Sequence, residues 1–122
     1  MKRIALALTI VTLAAALINA TAAHTAELDD IFRDGIYHPG APTIAAAFSL
    51  TEKKDLLRAV VVGYEISTRI GAAMGRAHYR YWHNTGTIGC FGAAAAAAEA
   101  LGLDADRFAH ALATVATFSA GL

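Results

Sequence analysis

The chain is short of the residues that staple or metallate small domains. Among its 122 residues there is one cysteine, Cys90, which excludes an internal disulfide framework and any C-x-x-C metal or iron–sulfur signature. A reducing compartment fits that usage best. Neither sign of charge dominates: Lys+Arg and Asp+Glu balance at 10 each, so the electrostatic footprint of a nucleic-acid or polybasic membrane binder is missing. The only prolines, Pro39 and Pro42, stand together where a helix start tolerates them. G-x-S-x-G, P-loop and dinucleotide fingerprints are absent, and no repeat or linker marks an internal boundary.

What the chain does have is apolar surface. A hydrophobic content of 57% is high for a freestanding domain of this length, and it implies a partner surface. Residues 4–18 form an apolar run behind Met1-Lys2-Arg3 and ahead of Ala20-Thr21-Ala22, the layout of an export signal. With Thr9 and Thr12 inside it, the run falls short of the roughly 20 apolar residues a membrane span needs. The preferred reading is an alanine-rich helix over residues 5–23, covered by its neighbours on all sides.

Periodicity predicts an all-α, helical bundle-like unit over residues 1–122. An acidic loop without a period of 3.6 or 2 occupies residues 24–40, followed by a short helix over 42–50. Thr51 is placed to cap a helix over 52–74, with Leu57, Val61 and Tyr64, and Leu56, Val60, Ile70 and Met74 beside them, on its apolar stripe. A second loop spans 75–84. Thr85 or Thr87 then caps an alanine-rich helix closed by Gly102, and Asp104 caps a last helix that runs to residue 122. That helix turns Phe108, Leu112, Val115 and Phe118 or Ser119 inward.

Two histidines stand immediately before helix starts: His38 in Y-H-P-G-A-P and His83 in W-H-N-T-G-T-I-G. The first turn of a helix carries unpaired N–H groups and the positive end of its dipole, so an anion settles there beside a group that exchanges protons near neutral pH. Two such corners point to a polycarboxylate. Gly86 and Gly89 allow close backbone approach to a ligand after His83. Earlier in the same loop Glu27, Asp29 and Asp30 crowd carboxylates together. Arg76, His78 and Arg80 in the second loop are carboxylate-binding candidates, since guanidinium offers two-pronged hydrogen bonding. His24-x-x-Glu27 with Asp30 offers donors that suit zinc or manganese but lacks diagnostic spacing, and no metal site is assigned. Each of these also has a plainer reading, as a solvated loop charge or a packed capping-loop histidine.

The segments A-A-L-I-N-A-T-A-A-H-T-A-E-L-D-D (15–30), Y-H-P-G-A-P (37–42), D-L-L-R-A-V-V-V-G-Y-E-I-S-T-R-I-G (55–71), H-Y-R-Y-W-H-N-T-G-T-I-G-C-F-G-A-A-A-A-A-A (78–98) and L-G-L-D-A (101–105) share an order. In that order the chain resembles the MmgE/PrpD family, the 2-methylcitrate dehydratases and relatives. The resemblance runs over residues 14–122 and favours the helix over the export signal at residues 15–23. It implies part of a two-domain, cofactor-independent lyase acting on a tricarboxylate such as 2-methylcitrate or cis-aconitate, a homodimer when completed by its second domain; the expected location is cytoplasmic, with export as the alternative.

His38 matches the family's H-P-(G/S) histidine and His83 the histidine opening its second glycine-containing loop. The resemblance thereby makes these two the acid/base candidates, with Glu27 and Asp30 as orienters or a second base. Thr85, Thr87, Gly86 and Arg80 become candidates for holding substrate carboxylates. The family's acidic D-F-D-D-T reads Glu27-Leu28-Asp29-Asp30-Ile31 here, one acid longer by a methylene and one hydroxyl replaced by isoleucine. The loop between Ser49 and Asp55 is shortened, and the family's later lysines and second domain lie outside these residues. The rival expectations are a non-catalytic helical fragment, interrupted after Gly121, and a small exported helical protein.

Overall fold

The structure, a computed structural model, describes residues 2–121 apart from residue 52, and leaves aside the side chains of residues 2–8, 10, 53 and 54. Five α-helices follow one another: α1 (Lys2–Thr25), α2 (Gly40–Leu50), α3 (Lys53–Met74), α4 (Asn84–Ala100) and α5 (Ala105–Val115). The expected all-α class holds. Helix α4 sits at the centre, packed on α2, α3 and α5, while α1 lies along α2.

The packing rests on small residues. Ala59, Gly63, Ser67 and Gly71 recur every fourth position of α3, all buried; the first three meet Gly92 and Ala96 of α4, and Gly71 meets Gly35 and Tyr37. A methyl group on Gly63 would meet the carbonyl oxygen of Gly92 at 2.7 Å, so the two backbones are in contact at that crossing. Side chains at the contact set how near two helices come, and here there is almost nothing between them. This corrects the expected face of α3. Leu57 and Val61 are exposed, and the buried stripe is rotated toward Leu56, Ala59 and Val60.

Helix α1 is likewise not covered on all sides as expected. Val11, Leu13, Leu17 and Ile18 are 65–70% exposed, because only the face toward α2 is packed. The helix is longer than expected and carries His24 in its last turn rather than at the start of a loop. No helix among the described residues is long and apolar enough to cross a membrane.

Two cap assignments hold and three do not. Asp104 accepts the Arg107 N–H at 2.9 Å, as an N-cap should. Gly102, at φ +63°, closes α4 through Gly102 N–H to Glu99 O and Leu103 N–H to Ala98 O, the paired bonds of a Schellman end. Thr51 closes α2 instead of opening α3: both its hydroxyl (2.7 Å) and its N–H (3.0 Å) donate back to Ala47 O. Thr85 and Thr87 do not cap α4, whose N-cap position is His83. Residue 52, the expected start of α3, lies outside the described residues, as does residue 122.

The second loop contains a 3₁₀ turn, Arg76–Arg80. The last helix stops at Val115 rather than continuing, and a 3₁₀ turn (Ala116–Phe118) sends the chain back toward the start of α4. There Ser119 Oγ donates to Thr87 O and Thr87 Oγ1 donates to Ala120 O, both at 2.8 Å. The return leaves Phe118 exposed, with Ser119 the partly buried one of the expected pair.

Candidate active site

The acidic segment is shaped by a tight loop over residues 32–37. Phe32 N–H bonds Tyr37 O at 2.9 Å, and the two rings meet edge to face at 5.9 Å. Tyr37 is fully buried in a slot between Gly35 and Gly71, and this burial raises its pKa. The Asn84 amide donates to Gly35 O at 2.5 Å, and Thr85 Oγ1 accepts the His38 N–H at 3.1 Å. The first two residues of α4 therefore fix the loop that carries His38. That explains why neither caps its own helix.

Within this frame Asp29 is the centre. One of its oxygens lies 3.0 Å from His24 Nδ1 and the other 3.4 Å from His38 Nδ1. The His24 ring is 5.0 Å from that of His38 and 6.2 Å from that of His83, so three imidazoles from separate elements converge. Asp29 Oδ1 and His38 Nδ1 are shielded from solvent and hold no hydrogen bond among the described residues. A cleft of about 630 Å³ opens on the side of His24 and His83, lined by these two with Glu27, Thr85 and Gly86 among others.

Asp30 is engaged elsewhere. Its carboxylate accepts the Gly40 N–H and the Tyr64 hydroxyl, each at 3.0 Å, tying the start of α2 to α3. Burial first, and the Asp30 carboxylate second, push the Tyr64 phenol well above its ordinary range. Glu27 is exposed at the cleft edge in the left-handed region, φ 48°. Thr87 is buried with its hydroxyl spent on Ala120, whereas Thr85 and Gly86 line the cleft.

Arg80 is exposed in a shallower cleft shared with His83 and Gly121. Arg76 donates to Arg33 O at 3.3 Å, and His78 stacks on Trp82 with ring centroids 6.1 Å apart. The returning segment over residues 119–121 reaches this region too, His83 N–H donating to Gly121 O at 2.5 Å. Cys90 lines the larger cleft, and burial raises its thiol pKa.

The structure thus brings together His38, His83, Thr85, Gly86 and Glu27, and keeps Asp30 and Thr87 in separate hydrogen-bond sets. Sequence reasoning underrated Asp29 and His24. Their only signal was density, with a histidine and several acids packed into an aperiodic stretch beside H-P-G.

Comparison with known proteins gives two findings. The cis-aconitate decarboxylase-like protein oryM of Aspergillus oryzae is 32% identical over 123 residues, a match covering 89% of this chain and 26% of that protein. The chain therefore spans about a quarter of the length of this relative. The sequence pattern of the MmgE/PrpD N-terminal domain matches residues 7–122, nearly the whole chain. The chain belongs to the MmgE/PrpD family.

Proposed function

We propose that this chain supplies the imidazole and carboxylate part of a lyase site for a tricarboxylate of the cis-aconitate or 2-methylcitrate kind. One observation carries the reading: Asp29 lies within 3.4 Å of two imidazoles, His24 and His38, with the His83 ring 6.2 Å from that of His24. A carboxylate held against a ring nitrogen fixes the imidazole's orientation, which is what a general acid/base needs. Asp29 takes the orienting role that the acidic segment was expected to supply, while Asp30 holds the loop through Gly40 and Tyr64.

In this reading His38 and His83 exchange protons with the substrate. For dehydration, one takes the proton alpha to a carboxylate and the other protonates the departing hydroxyl. For decarboxylation, the electron pair left on carbon as CO2 departs is quenched by a proton from an imidazolium. These transfers require no cofactor. Substrate carboxylates bind at Thr85 and Gly86 on the first turn of α4, with Arg80 beside His83. The exposed stripe Val11, Leu13, Leu17 and Ile18 supports coverage of α1 by further protein, as in a homodimer. A binding-only reading draws on a different observation, the Gly121 carbonyl already bonded to the His83 N–H at the mouth of the site.

Calorimetry with cis-aconitate, 2-methylcitrate and acetate, together with product detection by proton NMR, tests the proposal. Tricarboxylates are expected to bind at least about tenfold more tightly than acetate, a difference of about 1.4 kcal/mol, and His38→Ala to remove that preference. Equal affinity for acetate and tricarboxylates contradicts the reading. Preferential binding without product supports the binding-only form.

A further inference from the structure

We infer that Asn84, the first residue of α4, is a positioning residue for His38: its side-chain amide holds the Gly35–Ile36 peptide unit, and through it the segment that carries the imidazole. The inference deepens the acid/base reading and rests on it for the role of His38. Asn84 is fully buried and is not among the residues that line the cleft, so it acts on a substrate only through others.

The backbone of the loop shows what needs holding. Ile36 lies at φ 48°, a region in which a β-branched residue is a steric outlier. Strain of this kind persists only where the surroundings over-determine it. The Gly35 carbonyl belongs to the planar peptide unit that turns with that torsion, and the Asn84 amide donates to its oxygen. The bond therefore holds the unit at a torsion that Ile36 by itself disfavours. A second grip lies at His38, whose N–H donates to Thr85 Oγ1 at 3.1 Å. Two consecutive residues of α4 thus fix the loop at two points, and His83 directly precedes them. Both imidazoles take their backbone positions from one short stretch. Without Asn84, Thr85 is a pivot about which His38 swings away from Asp29.

The other end of the amide gives a second reason. Asn84 Oδ1 is buried and has no hydrogen bond among the described residues. Buried polar atoms are normally paired, and an unpaired one works against folding. An apolar side chain would fill this place without that cost. What an apolar side chain lacks is the donor to Gly35 O, and that donor is what the buried amide contributes.

The test compares the unaltered chain with Asn84→Ala, Ile88→Val and Ile36→Gly by nitrogen-15 NMR of the histidine rings, thermal melts, and calorimetry with cis-aconitate and acetate. Asn84→Ala is expected to shift the His38 ring signals, to leave those of His78 and His110 in place, and to weaken cis-aconitate binding about tenfold while acetate binding stays unchanged. Ile88→Val thins the core at a fully buried position of the same helix, and is expected to lower the unfolding midpoint without shifting the His38 ring. Ile36→Gly removes the steric penalty while Asn84 still holds the carbonyl, so the His38 ring is expected to stay in place. That variant decides the matter if Asn84→Ala fails to fold. A chain that binds cis-aconitate no better than acetate fails the lyase reading alone, since the His38 ring shift still reports on Asn84. A His38 ring unmoved in folded Asn84→Ala, moved equally by Ile88→Val, or moved by Ile36→Gly overturns the inference.

Discussion

Asp29 and His38 face each other at 3.4 Å, and neither Asp29 Oδ1 nor His38 Nδ1 has a hydrogen bond to any other described residue. The other Asp29 oxygen meets His24 at 3.0 Å. A single carboxylate thereby links the end of α1 to the residue that precedes Pro39 and α2. Its neighbour Asp30 does structural work one residue away.

Asp29→Asn and Asp30→Asn are therefore expected to fail differently. The first loses the charge that orients two imidazoles, and tricarboxylate affinity is expected to fall about 10- to 100-fold with little change in unfolding midpoint. The second weakens the bonds to Gly40 and Tyr64, and is expected to lose about 1–2 kcal/mol of stability while its affinity stays near that of the parent. Calorimetry and thermal melts on both variants check this. Matching losses in both would show the two acids to be equivalent.

Gly63→Ala reverses the usual sign of its substitution. In an exposed helix interior the change stabilises by about 0.5–1 kcal/mol. Here the added methyl would stand 2.7 Å from Gly92 O and closer still to Thr43 Cγ2, and backbone cannot yield as a flexible side chain can. A loss of about 1–3 kcal/mol is expected from overpacking, measured by urea unfolding. A gain would mean that α3 and α4 are not in backbone contact.

Tyr64 sets an alkaline limit on stability. Its folded pKa is raised by burial and by the Asp30 carboxylate, so folding favours the protonated phenol. The contribution is complete below the unfolded value of about 10 and is lost as pH rises from there through the folded pKa. Tyr37, raised by burial, acts with the same sign. Tyr64→Phe is expected to be less stable than the parent at pH 8 by about 1 kcal/mol and to decline more shallowly above about pH 10. Urea unfolding at pH 8, 10 and 11 checks both the offset and the slope.

Glu27 sits at φ 48°, a conformation that asparagine and aspartate adopt more readily than glutamate. Glu27→Asn is expected to raise stability by about 0.5–1 kcal/mol, read as a higher midpoint in thermal melts. A lower midpoint would show that the side chain itself holds the turn.

Much of the helical order was legible in the sequence, because caps at Asp104 and Gly102 use chemistry that points one way only. Threonine does not. The hydroxyl of Thr51 donates backward to Ala47 O, and those of Thr85 and Thr87 are held by His38 N–H and Ala120 O, partners that are invisible until the chain has folded. The face of α3 was misread for a related reason. Leu57 and Val61 outweigh Ala59, Gly63 and Ser67 in any apolar count, yet the smaller residues win because they let α4 come close.

Asp29 and Asp30 are adjacent in an aperiodic loop, and only the turn over residues 32–37 and the start of α4 decide which one meets the histidines. The return of residues 119–121 to α4 likewise depends on contacts with Gly86, Thr87 and His83. No local pattern could have announced it.

Nitrogen-15 NMR of the histidine rings, comparing the parent with Asp29→Asn and each with and without cis-aconitate, tests the shared-carboxylate site most directly. The account predicts that His24 and His38 ring signals shift together on Asn substitution, and that cis-aconitate moves His38 and His83 in the parent but far less in the variant. Rings at 24 and 38 that ignore the substitution, or a tricarboxylate response unchanged by it, would contradict it.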